Sequence, residues 1–342
     1  MTTNEHASVS VSPERLDQGA RSAAACLNIH EGDVVFIISD DARAGLAARV
    51  AAAAAARGGA VTVKRLEEYG ARPLTTMPDR LREDLKTIAP TATYYIATAQ
   101  KGELGLRQPM LPFLVQELNV RHGHMIGITD EVMADGMCAD YDRIYTRTMQ
   151  VYDLARQART IHVTSQKGTD VTATFRPDWT WIPCHGRYHA QGSWGNLPEG
   201  ETFTAPATLE GVIVADVLGD YFSEKYGVLE HPVTFVIKDS HIEEIHAGDP
   251  ALEEELHRHF WDAPNGRRAG EFALGTLEGL SGLTGNLLQD EKLPGLHVAF
   301  GNPYPHFTGA DWESSVHVDV VPVNCTVEID GQTIMRDGVF VI

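Results

Sequence analysis

The sequence predicts an α/β N-terminal domain with a doubly wound parallel sheet, followed by a mainly antiparallel β (α+β) metal-binding domain. Two observations predict the split. Up to residue 155, short continuous apolar runs alternate with helical stretches, the pattern of parallel strands joined by crossover helices. From residue 156 to 342, apolar and polar residues alternate with period two around glycine-containing turns, the pattern of antiparallel strands with one wet face. A third observation concerns chemistry. His317-Val318-Asp319 places an imidazole and a carboxylate two residues apart, on one side of any strand.

The elements follow in order. Residues 1–10 are polar and read as a loose tail without the apolar segment of a signal peptide. Ser12-Pro13-Glu14 is a helix start: Ser12 suits the cap and Pro13 the first helical position. Asp33–Ser39 reads as a strand buried on both faces, and 41–57 as an alanine-rich helix stopped by Gly58-Gly59. Further strands are expected at 60–64, 94–97 and 124–128. In the second half, 161–175 and 233–248 read as strand pairs around turns, and 250–262 as a helix. From Leu296 to Ile342 the chain alternates again, with turns at Asp330-Gly331 and Asp337-Gly338.

Composition narrows the function. Apolar residues make up 43% and charged residues 22% of the chain, enough for substantial cores. A formal charge of -19 repels phosphates, which argues against nucleic acid and anionic membranes as partners. The alanine-rich stretch is interrupted by Arg49 and Arg57 and is not a membrane span. Cys26, Cys138, Cys184 and Cys325 form no CxxC pair and read as reduced, mostly buried thiols of a cytoplasmic protein. After Ser39 the chain reads DDARAG, with no glycine-rich phosphate loop, and Asp40 and Asp41 would repel a phosphate.

Candidate ligands are Glu201 in GNLPEGETFTAP and Glu271 in RRAGEFALGT, each flanked by glycine and read alone as a loop carboxylate, and the His317/Asp319 pair; His297, on an apolar strand, reads by itself as a hydrogen-bonded structural histidine. Buried carboxylates and imidazoles in one place call for a cation. Asp290-Glu291-Lys292 reads as a charged turn before a strand. His306, Asp311 and Glu313 read as the rim of a substrate mouth. Cys184, His185 and His189 lack the further partners a zinc site needs and read as pocket lining or surface.

In order, GNLPEGETFTAP, RRAGEFALGT, LTGNLLQDEKLPGLHVAFG, NPYP and SSVHVD resemble the motifs of the thermophilic-type metalloaminopeptidases, peptidase family M29, the aminopeptidase T/S group. The resemblance runs through the C-terminal half; the N-terminal half matches in style. It implies a cytoplasmic homodimer with two divalent ions per chain, zinc, cobalt or manganese, held by Glu201, Glu271, His297, Tyr304, His317 and Asp319. The implied reaction is hydrolysis of an amide or short peptide by a water activated between the ions, with Glu201 as general base and Tyr304 donating to the oxyanion. After the His-x-Asp pair, VVPVNC is similar instead to a related branch, the dihydroxypyridine ring-opening dioxygenases, which are mononuclear ferrous enzymes. That branch carries histidine where this chain has Glu271 and lacks the carboxylate of Glu201. The resemblance therefore implies a hydrolase first, an Fe(II) dioxygenase second and a non-catalytic metal-binding relative third.

Overall fold

The computed structural model describes residues 9–219 and 221–342. The polar N-terminal tail expected at residues 1–10 lies almost wholly outside them. The chain divides into two compact units. One comprises the residues up to Asp142 with Gly186–Glu199 and Gly279–Gly282; the other comprises Arg143–His185, Gly200–Glu278 and Leu283–Ile342.

The first unit carries a five-stranded, all-parallel sheet in the order Ala60–Arg65, Val34–Ser39, Ala92–Ile96, Arg121–His124, Trp194–Asn196. This is the doubly wound arrangement that the apolar runs predict. Ser12 caps the first helix, Pro13–Cys26, accepting from the Arg15 amide at 3.3 Å. Asp41–Arg43 forms a tight turn ahead of the helix Ala44–Ala56, where a single helix from residue 41 was expected. The strand expected at 124–128 lies earlier, at 121–124, because the chain turns after Met125 and Gly127 takes a φ of 69°. The fifth strand, Trp194–Asn196, escapes sequence reading: three residues are too few to show a period.

At the switch point of this sheet, between the ends of Val34–Ser39 and Ala92–Ile96, the crevice is filled from within. Asp40 accepts from the Thr98 amide (2.8 Å), the Thr98 hydroxyl (2.6 Å) and the Arg72 guanidinium. Arg72 also grips Glu103 with two bonds, of 2.8 and 2.5 Å. All three side chains are buried. Burial opposes the charge on Asp40, but Thr98 and Arg72 outweigh it and hold the carboxyl below its usual range. Asp40, read from sequence as a repeller of phosphate, thus serves the packing of its own unit.

The second unit contains two antiparallel sheets. An eight-stranded sheet runs in the order His241–His246, Val233–Lys238, Thr208–Ala215, Asp170–Thr174, Thr160–Ser165, Cys325–Ile329, Gln332–Arg336, Val339–Phe340. A six-stranded sheet runs Val217–Leu218, His317–Val321, Gly295–Gly301, Ala269–Gly275, Glu201–Thr204, Ile182–Cys184. Phe272, Leu274, Leu296, Val298, Phe300, Val318 and Val320 of the six-stranded sheet are buried with Val163, Val171 and Phe235 in one apolar core. Phe300 packs against Phe235 and Phe260, each with ring centroids 6.1 Å apart. The expected strand pairs and the helix Pro250–Trp261 are present. Cys26 and Cys325 are buried, Cys138 and Cys184 half-buried, and all four are free thiols. Among the described residues no helix is long and apolar enough to cross a membrane.

Replacing Arg72 by Met would leave Asp40 and Glu103 buried without their cation. Chemical denaturation of Arg72→Met should show a loss of about 3–5 kcal/mol, the cost of breaking a buried pair from one side. A loss under about 1 kcal/mol would mean that the network is solvated.

A candidate metal centre on the six-stranded sheet

The core claims one face of the six-stranded sheet; the other face is polar. Period-two alternation assigns the residues. Along Ala269–Gly275, Phe272 and Leu274 enter the core while Glu271 and Ala273 take the opposite face. Along Gly295–Gly301, His297 and Ala299 take that face, and along His317–Val321 so do His317 and Asp319. A bulge between Ala269 and Glu271 shifts the phase, so that Ala269 joins the core and Glu271 does not.

Register then decides which groups meet. His297 pairs across from Ala273, Glu201 from Gly275, Asp319 from Ala299 and His317 from Gly301. Each functional side chain faces an alanine or a glycine, and these small neighbours leave room above the sheet. Gly219 extends this logic, because a Cβ there would lie 2.7 Å from Asp319 Oδ2.

The structure brings five of the six expected residues into one cluster. His297 Nε2 lies 3.3 Å from both Glu271 Oε1 and Glu201 Oε2. His317 Nε2 lies 3.6 Å from Glu271 Oε2 and 3.7 Å from Asp319 Oδ1. Glu201, Glu271, His297 and Asp319 are all buried. Glu201 and Glu271, expected in loops, stand on strands instead, since their glycine neighbours serve close packing of the sheet. Tyr304 is at the edge of the cluster: its ring packs on His317 at 4.5 Å and near Phe203 at 6.4 Å. It adopts a left-handed φ of 51° between Pro303 and Pro305, its amide bonded to Asn302 Oδ1 at 2.8 Å. His306, Asp311 and Glu313 are exposed. Cys184 pairs in register with Glu201, His185 packs on Tyr145, and His189 contacts the carbonyl of Ala25.

Sequence reading missed two participants. Lys292 is not part of an open charged turn: it is buried, with Nζ 2.6 Å from Glu201 Oε1 and 2.6 Å from Glu291 Oε1. Its signal was the run Asp290-Glu291-Lys292 placed directly before an apolar strand. Asn302 is the other. Its carbonyl lies 2.8 Å from His317 Nδ1, and a carbonyl only accepts, so Nδ1 carries the proton and Nε2 offers its lone pair to the cluster.

The donor set fits a divalent ion. Two ligand atoms bound to one ion at about 2.1 Å with tetrahedral angles are about 3.4 Å apart, close to the 3.3–3.7 Å separations seen here. Charge points the same way. Glu201, Glu271, Asp319 and Glu291 outnumber the lysine, and Glu201 Oε2 is buried without a hydrogen-bond partner among the described residues. Without a metal, protons take up the excess. Burial disfavours a charged His297, but Glu271, Glu201 and Asp319 outweigh it and raise its pKa to about 9. Burial likewise lifts Asp319 to about 7 and Glu201 above its usual range. Burial opposes ionised Glu271 too, yet His297 and His317 hold its pKa down. Tyr304 keeps 40% of its surface exposed, but desolvation of the phenol, then Glu271 and Asp319, push its pKa well up.

An ion that binds here displaces the His297 proton. Affinity should therefore rise with pH and level off above the raised imidazole pKa, by about 50-fold from pH 7 to 9 through His297 alone. A chelator-buffered zinc titration measures this, and a flat profile would exclude His297 as ligand. Gly219→Ala should weaken the same affinity by roughly 10–100-fold, the usual cost of disturbing the group behind a ligand, with the far-ultraviolet circular dichroism unchanged.

Known proteins place this arrangement. The family NicX: 2,5-dihydroxypyridine 5,6-dioxygenase matches residues 18–273, a span that includes Glu201 and Glu271 and ends before His297. A curated 2,5-dihydroxypyridine 5,6-dioxygenase of Pseudomonas putida strain KT2440 is 24% identical over 217 residues, which is 61% of this chain and 61% of that protein. The solved structure of 2,5-dihydroxypyridine dioxygenase from Pseudomonas putida KT2440 superposes with a TM-score of 0.68 at 17% identity, over 97% of this chain and 98% of that one. Wild-type AmpT from Thermus thermophilus superposes with a TM-score of 0.64 at 20% identity, over 96% and 99%. The peptidase resemblance thus holds at the level of fold, while the sequence match goes to the branch ranked second from sequence. This chain belongs to the NicX 2,5-dihydroxypyridine 5,6-dioxygenase family.

Proposed function

We propose that the protein is a metal-dependent oxygenase that opens a hydroxylated aromatic ring, as its family name describes, with the ion held by His297, His317, Asp319 and Glu271. The observation that carries this reading is the family match over residues 18–273 joined to two imidazoles, His297 buried and His317 half-buried, near the carboxylate of Asp319. Two histidines and one carboxylate on neighbouring strands are the donor set of non-haem ferrous oxygenases. A ferrous ion, when bound, supplies the open coordination positions at which dioxygen and a chelating hydroxylated ring can meet.

The chain's own groups have separate tasks in this reading. Asn302 fixes the tautomer and direction of His317. Glu271 spans both imidazoles, 3.3 Å from one and 3.6 Å from the other. Tyr304, with Phe203 and the half-exposed Phe307 nearby in the chain, offers aromatic surface for a flat substrate and a hydroxyl to donate to a ring oxygen. The fit is to a small aromatic molecule.

A second reading keeps hydrolysis of an amide by two ions. Glu201 favours it: a third buried carboxylate, 3.3 Å from His297 Nε2, is what a second ion would use. One pair of assays separates the two. Anaerobically iron-loaded protein should consume oxygen with 2,5-dihydroxypyridine or a related dihydroxylated ring, and His317→Ala should bring the rate to background. No uptake with any ring, together with chelator-sensitive release of aniline from aminoacyl anilides by zinc- or manganese-loaded protein, would replace the oxygenase reading by the hydrolase one.

A further inference from the structure

We infer that Lys292 is a built-in cation that fills the second half of the acidic cluster, so that the site takes one divalent ion and a second site, on Glu201 and Glu291, stays closed while the lysine side chain occupies it. The inference rests on the cluster's being a metal centre, as proposed above, and extends it to the number of ions and the residue that sets it.

The geometry is specific. Lys292 Nζ lies 2.6 Å from one oxygen of Glu201 and 2.6 Å from one oxygen of Glu291. These are charge-assisted hydrogen bonds at close range. The ammonium thus occupies the place between two carboxylates that a bridging ion would need. Its side chain is 2% exposed, so water does not screen it. The backbone that carries it is tied down on both sides. Its amide donates to the Gln289 carbonyl at 2.9 Å and its own carbonyl accepts from the Leu277 amide at 3.0 Å. Two residues earlier, buried Asp290 accepts from the Thr284 amide (2.9 Å), the Thr284 hydroxyl (3.0 Å) and the Gly285 amide (2.7 Å). The backbone from which the lysine reaches the carboxylates is thus fixed by its turn.

Charge divides the cluster into two parts. Glu271 and Asp319, with two neutral imidazoles, balance one divalent ion. Glu201 and Glu291 share one ammonium. Glu201 Oε1 is committed to the lysine, while Oε2 is buried, faces His297 and has no hydrogen-bond partner among the described residues. That oxygen lies beside His297, whereas an ion between Glu201 and Glu291 would need the place the ammonium takes against Oε1. A dication beside a fixed buried ammonium is repelled strongly at this range. The same carboxylates become available once the charge is removed. Lys292 is thus a positioning residue for the metal centre, and its removal should create binding rather than abolish it.

Metal counting tests this without any substrate. Wild type, Lys292→Met, Lys292→Gln and Lys292→Arg are loaded with Mn(II), freed of excess ion and assayed by elemental analysis and electron paramagnetic resonance. Wild type and Lys292→Arg should hold one ion per chain with the hyperfine pattern of an isolated ion. Lys292→Met, or Lys292→Gln if the Met variant does not fold, should hold two and show an exchange-coupled spectrum. Two ions in wild type, or one ion in a folded Lys292→Met or Lys292→Gln, would each overturn the assignment. A protein with one ion that opens no aromatic ring would leave the lysine assignment standing and count against the oxygenase reading alone.

Discussion

The second unit is organised around surplus negative charge held out of water. Glu201, Glu271 and Asp319 are 4–5% exposed, and they stand on one face of one sheet. Such a cluster is tolerable only with cations inside it. The chain supplies one, Lys292, and two imidazoles whose affinity for a proton the neighbouring carboxylates raise. The rest follows from keeping these groups in place. Ala273, Ala299, Gly275 and Gly301 form a floor without bulk, and the opposite face anchors the sheet through Phe272, Val298, Phe300, Val318 and Val320. The bulge beside Glu271 joins the two requirements by shifting the strand's phase by one residue.

The first unit meets a smaller version of the same constraint. Asp40 and Glu103 lie buried at the point of a doubly wound sheet where ligands commonly bind. Arg72 answers both carboxylates with a guanidinium fork, and the crevice closes on itself. In that unit the buried charge is consumed internally. In the second unit the supply of cations falls short of the carboxylates, and the sheet is left with surplus negative charge.

Family and ligand chemistry pull in different directions, and the chain records both. Its sequence match belongs with the ring-opening dioxygenases, yet it retains Glu201 and Glu271, the pair that suggested two ions from sequence. Lys292 reconciles them. A carboxylate with an ammonium on one oxygen is not equivalent to a free carboxylate, and Glu201 read as a ligand in isolation looks different once its partner is known. That partner stands ninety-one positions further along the chain.

Much was legible in the order of residues. Period-two alternation and alternating helical stretches determined the fold class, because backbone hydrogen bonding and burial act locally and leave periodic traces. His317 and Asp319 were visible as a pair because strand geometry puts i and i+2 on one side. Ordered motifs identified Glu201, Glu271, His297 and Tyr304 as candidates through resemblance, although their own surroundings suggested loops for the two glutamates. Tertiary structure alone decided what these residues are to one another. Register across four strands set Glu201, Glu271, His297 and the His317/Asp319 pair around one point, and no local pattern encodes register between segments so far apart. It also turned Lys292 from a surface charge into a buried cation. Burial and pairing belong to the folded chain, since the free energy of a charge depends on the groups that surround it and not on its neighbours in sequence.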